Sequence, residues 1–233
     1  MSSIVGKINN LKLSYFIVLF GTGVILISFI VALTFMKKEK PQYYKYIFVY
    51  IILGLLVSLN TIINNNKVWI SSIKISILIE QSIILCQSLM FGLFFIDVFK
   101  NSKHKIKIKL FLYFSILIQT FLLIIVLSTN TEIKPSISSN LVLIIFCFFY
   151  LRELMFIKPT LILAKSSIFW IVIGIFFSSC ISFPINSLIP FIVKEHEYRN
   201  LRSYIFSISN MSVIVMYLLI IKSYLCLKHP QNL

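Results

Sequence analysis

This sequence predicts an all-α membrane protein, a bundle of seven transmembrane helices with its amino terminus outside and its carboxyl terminus in the cytoplasm. Three observations carry that expectation. Hydrophobic residues make up 59% of the 233 residues and charged residues 12%, against about 45–50% and about 25% in soluble domains. The mean hydropathy is +0.97. Apolar runs of about 20 residues, enough to cross about 30 Å of hydrocarbon, recur seven times along the chain. A soluble fold of this length has no interior large enough for so much apolar surface. Disorder, a disulfide scaffold, a fibrous protein and a cytosolic enzyme are excluded on the same ground.

The spans fall at about 13–36, 43–63, 70–98, 110–128, 138–157, 167–193 and 205–227. The first is too long for a cleavable signal peptide and carries Gly21 and Gly23, which suit close helix packing. The third holds Lys74 and Glu80, and Arg152 and Glu153 interrupt the end of the fifth. Pro184 and Pro190 predict a bend in the sixth that frees backbone carbonyls beside Asn186. Between the fourth and the preceding span, 103–109 reads as a basic loop. Seven spans leave no room for a soluble domain in one chain, so the expected architecture is a single transmembrane domain over 1–233 whose output another protein carries.

Twenty-two Lys and Arg against seven Asp and Glu give a net charge of +15. In a soluble domain that balance points to nucleic acid; here the basic residues lie between apolar runs, where topology places them. Alternate loops hold 14 and 8 of them. The richer set includes Lys37, Lys38, Lys40, Lys100, Lys158 and Lys228, and it marks the cytoplasmic face. No nucleic-acid partner is expected. Tyr43, Tyr44, Tyr46 and Trp170 would then mark the inner interface and Trp69 the outer one. Cys86, Cys147, Cys180 and Cys226 all lie in apolar runs and read as free thiols packed like small apolar side chains.

Chemistry is sparse. His104, His196 and His229 lie outside the spans, so no axial ligand is offered to a membrane haem, and neither an HExxH nor a GxSxG is present. Lys222 lies too near the end of the last span for a retinal lysine and snorkels instead. No enzyme activity and no cofactor are expected. Glu195, His196 and Glu197 are consecutive, a poor spacing for a metal on a helix. Glu80 is the carboxylate well inside a span, and Gln87, seven residues on, shares its helical face. With the amino terminus outside, Glu80, Asn60, Asn186 and Asn210 fall in the outer halves of their spans. They form either an outward-facing pocket for a small polar ligand or hydrogen-bonding glue between helices. Gln119, near the middle of span four, keeps a transport path open. Arg152 and Glu153 are adjacent and point apart, Arg152 to headgroups and Glu153 to a neighbouring span or a protein partner. Lys103, Lys105, Lys107 and Lys109 are candidate contacts for anionic lipid headgroups.

The segment Tyr150-Leu-Arg-Glu-Leu154, followed by Ile168-Phe169-Trp170-Ile171 and Gly174, resembles a group of small uncharacterised seven-span proteins of Bacteroidota-type bacteria. Ser166-Ser167 stand where a proline is usual there, and Ser178 to Cys180 replace an aromatic–glycine stretch. The specific match covers about 148–176. In layout such proteins are similar to the seven-span sensory regions of some histidine kinases, which implies sensing. The expectation is therefore a non-enzymatic sensor or signalling partner in the bacterial inner membrane, its partners the bilayer and an output protein. A small transporter or channel, or a structural subunit of a membrane complex, are the alternatives.

Overall fold

A computed structural model describes residues 2–36, 41–65, 73–99, 102–129, 136–157, 163–192 and 199–227. The described chain is helical: α1 Ser2–Met36, α2 Tyr43–Asn65, α3 Ile73–Val98, α4 Ser102–Thr129, α5 Ser136–Ile157, a short 3-10 turn Leu163–Lys165, α6 Ser167–Ile192 and α7 Arg199–Cys226. Among the described residues, seven helices are long and apolar enough to cross a membrane. This is a multi-pass membrane protein.

Their outer faces carry the residues that lipid requires. Phe16, Leu110, Tyr113, Leu117, Phe121 and Phe148 are all exposed, on helices whose interior backbone groups pair along the same helix. Consecutive helices pack on one another, and α7 returns to α1 to close the ring. Helix α4 rests on α3 and α5, which also touch each other, so α4 lies outside them. Gly174 brings α6 and α7 together: a Cβ there would stand 3.3 Å from Met216 O and from Leu219 Cβ. Gly21 does the same for α1 and α7, 3.4 Å from Ile214 Cγ1, whereas Gly23 faces open space and packs nothing.

The bundle has two unlike ends. At one, the C-terminal turns of α1, α3, α5 and α7 meet the N-terminal turns of α2 and α6. Aromatic rings fill this end in a continuous chain: Phe35 meets Tyr224, Tyr224 meets Tyr44, Tyr43 meets Phe94, Phe95 meets Phe146, and Phe99 meets Tyr150, at centroid distances of 5.2–6.4 Å. Edge-on and tilted pairs of this kind add about 0.5–1.5 kcal/mol each beyond the area they bury. The Tyr224 hydroxyl donates to Tyr44 O at 3.4 Å, joining α7 to the first turn of α2. The opposite end, reached by the N-terminal halves of α3, α5 and α7 and the C-terminal half of α6, is polar inside.

Several expectations change here. The segment 103–109 is not a loop but the first turns of α4. Lysine is a good helix former and its stem can lie along apolar surface while the ammonium reaches the headgroups. Tyr44 is fully buried and Tyr43 and Tyr46 are half-buried, so these rings face the bundle rather than an interfacial belt. Cys147 is buried, donating its thiol towards Val172 O at 3.6 Å, but Cys86 and Cys180 are exposed on the outer surface. Helix α5 runs unbroken through Arg152 and Glu153, and α6 stays helical on both sides of Pro184 and Pro190, which withhold two backbone N–H donors from it. Trp69 and the 194–198 segment lie outside the described residues.

Candidate functional site

The polar end encloses a partly open cavity of about 260 Å³. Each wall is one helical face. On α6 the lining positions are Ile175, Ser178, Ser179, Ser182 and Asn186; on α3 they are Gln81, Ile84, Gln87, Ser88 and Phe91. Apart from the neighbours 178–179 and 87–88, both runs step by three or four residues, the spacing that stacks side chains along one side of a helix. Ser139, Asn140 and Leu143 of α5, Ser209, Val213 and Met216 of α7, and Tyr50 of α2 complete the lining.

Tyr50 and Phe91 lie at the aromatic side of the cavity with ring centroids 4.1 Å apart. Behind them Tyr217 stacks on Tyr50 at 5.8 Å, and the Tyr50 hydroxyl donates to Met216 Sδ at 3.7 Å. The cavity therefore ends on packed rings halfway along the bundle.

Two kinds of polar group line it. Ser88 and Ser139 are already engaged. Their hydroxyls lie 2.6 Å apart across the α3–α5 contact, and Ser88 also lies 3.4 Å from Gln119 Oε1, whose amide donates to Ser115 at 2.9 Å. This chain of bonds carries the buried Gln119 of α4 into the bundle, so Gln119 joins helices rather than marking a path through α4. The second kind is unengaged. Ser178, Ser179 and Ser182 are 7%, 4% and 8% exposed, and their hydroxyls bond to no other described residue. Gln81 Oε1 is buried with no hydrogen-bond partner among the described residues. Leaving such a group unsatisfied costs about 1–3 kcal/mol.

The residues singled out in the sequence divide. Gln87 and Asn186 line the cavity, and Asn60 and Asn210 are half-buried beyond it. Glu80 lies on α3 immediately before Gln81, with its side chain outside the described residues. Arg152 is exposed, and Glu153 turns inward, its Oε2 buried with no hydrogen-bond partner among the described residues. Lys107 and Lys109 are exposed and Lys105 half-buried; the Lys103 side chain is outside the described residues. On a helix their alternate spacing spreads the four positions over two sides of α4, 103 with 107 and 105 with 109. Lys222 places its ammonium 3.8 Å from the ring centre of Trp170, a cation–π contact at the aromatic end. Among the described residues, no group of His, Cys, Asp and Glu is placed to hold a metal ion.

No family model, no curated protein and no solved structure matches this chain. The function must be read from the cavity. The α6 serines are faint in the sequence as site residues. Their signal was present as the 178, 179, 182, 186 spacing, but serine in an apolar helix is commonly satisfied by its own backbone, as Ser187 is by Phe183 O at 2.9 Å.

Proposed function

We propose that this protein is a non-enzymatic sensor of the bacterial inner membrane, with its amino terminus outside, that takes a small polar ligand from the external side. The resulting shift passes through the aromatic end to a partner protein that carries the output. One observation supports this reading above the others: the polar lining occupies half of the bundle and stops at Tyr50, Phe91 and Tyr217. A transport path needs polar groups through both halves, and the aromatic half offers interlocked rings instead. The richer set of basic loops belongs to the aromatic end, which the positive-inside rule assigns to the cytoplasm.

The test is reconstitution of the pure protein in liposomes with a panel of labelled small solutes. A sensor binds solute without accumulating it inside. Concentrative or saturable uptake by the protein alone overturns the sensor in favour of a transporter.

A further inference from the structure

We infer that the cavity binds a neutral polyhydroxylated solute, an open-chain polyol or a monosaccharide, through the hydroxyls of Ser178, Ser179 and Ser182. The inference rests on the pocket of the sensor reading and names its ligand class. Size sets the first limit. About 260 Å³ lies below the ~300–1,000 Å³ of pockets for drug-sized molecules. It equals roughly nine waters at ~30 Å³ each. A peptide, a nucleotide or a lipid headgroup with its glycerol is too large.

Chemistry sets the second limit. Every polar group among the lining residues is a hydroxyl or a carboxamide. Serine offers one donor and two acceptor lone pairs, and Asn and Gln offer both kinds at once. Such a wall matches a solute whose own hydroxyls each donate and accept. The described lining residues supply no countercharge to an ion, and an ion stripped of water without one loses several kcal/mol. The three α6 serines, over nine-tenths buried and unbonded to other described residues, are the groups with unspent bonding capacity.

The rings set the third. Tyr50 and Phe91 close the cavity with apolar surface, beside Leu143 and Ile175. A polyol or sugar carries C–H groups on one side and hydroxyls on another. The C–H side would rest on the rings while the hydroxyls meet α6.

The experiment uses the full chain in lipid nanodiscs, with thermal stability and equilibrium binding measured against three sets of probes. The neutral set is erythritol, myo-inositol and glucose; the charged sets are glutamate and succinate, then choline and ethanolamine. At least one neutral probe should bind and raise the melting temperature as its concentration rises. Ser179→Ala and Ser182→Ala, which preserve volume and helix, should each weaken that binding by about tenfold, and Ser182→Phe should abolish it. Absence of binding by the whole neutral set overturns the ligand class. Binding of a charged probe alone, lost in the alanine variants, also overturns the class while leaving the pocket of the sensor reading in place; a cationic probe lost in Glu80→Gln would identify Glu80 as its partner. Neutral binding that survives both alanine variants and Ser182→Phe overturns the serine site and the pocket with it.

Discussion

The hydroxyl of Tyr217 on α7 rests against the α-carbon of Gly54 on α2, in the space a side chain would fill. Gln87 Nε2 stands 3.7 Å from that same point, so the three residues meet just behind the cavity. Glycine is required here by close approach. In Gly54→Ala the methyl group displaces the Tyr217 ring, and overpacking of that kind costs about 1–3 kcal/mol. The melting temperature in detergent should fall, and Tyr217→Phe in the same chain should recover part of the loss. Gly23→Ala, with nothing within 4 Å, should stay within about 0.5 kcal/mol of the parent. Equal effects at both glycines would refute the contact.

The Ser88–Ser139 bond predicts a measurable coupling between α3 and α5. Interhelical hydrogen bonds in membranes average about 0.6 kcal/mol and reach about 1.7. A double-mutant cycle of Ser88→Ala and Ser139→Ala should return a coupling in that range. Gln119→Leu should also destabilise the fold, because Ser115 loses its amide partner and Ser88 a neighbour. A coupling of zero would mean that the two hydroxyls meet without holding the helices.

Orientation is open to direct labelling. The native thiols Cys86 and Cys180 are exposed towards lipid, so they are first replaced by alanine. A membrane-impermeant maleimide applied outside should then modify Ser3→Cys and leave Ser102→Cys untouched. The reverse pattern inverts the bundle and turns the cavity to the cytoplasm.

Glu80 distinguishes a ligand-facing carboxylate from a structural one. An ionised carboxylate within an apolar span costs about 2.5–3.5 kcal/mol on insertion. If Glu80 takes part in ligand response, Glu80→Gln folds normally and the response falls sharply. If it holds helices together, Glu80→Gln is nearly silent and Glu80→Leu lowers thermal stability. Full response from a well-folded Glu80→Leu protein removes it from the site.

The fold was legible because hydrophobic length is a strong signal: each of the seven apolar runs coincides with a helix, although α1, α4 and α7 begin about two to three turns earlier than the apolar run does. The start of α4 was missed because lysine density resembles a loop, although a snorkelling lysine suits an interfacial helix equally well. The site was only partly legible. Gln87 and Asn186 were noticed because large amides stand out among Ile, Leu and Phe. Asn60 was noticed for the same reason, yet the wall that α2 contributes is Tyr50, ten residues away and round the helix. Serine carries little weight in any single position. Its role on α6 appears only when four helices place their polar faces around one space, and no local pattern specifies that meeting.

The interlocked rings of the aromatic end also have an electrical consequence. Water can follow the cavity to Tyr50 and Phe91, so the insulating part of this bundle is thinner than the surrounding ~30 Å of hydrocarbon. The membrane voltage, about 2.3 kcal/mol per elementary charge per 100 mV, therefore falls mainly across the rings joining Phe35, Tyr44, Phe95 and Tyr150. The serines sit close to the potential of the compartment into which the cavity opens. Side chains at the far end, Arg152 and Glu153 among them, lie on the other side of that steep drop.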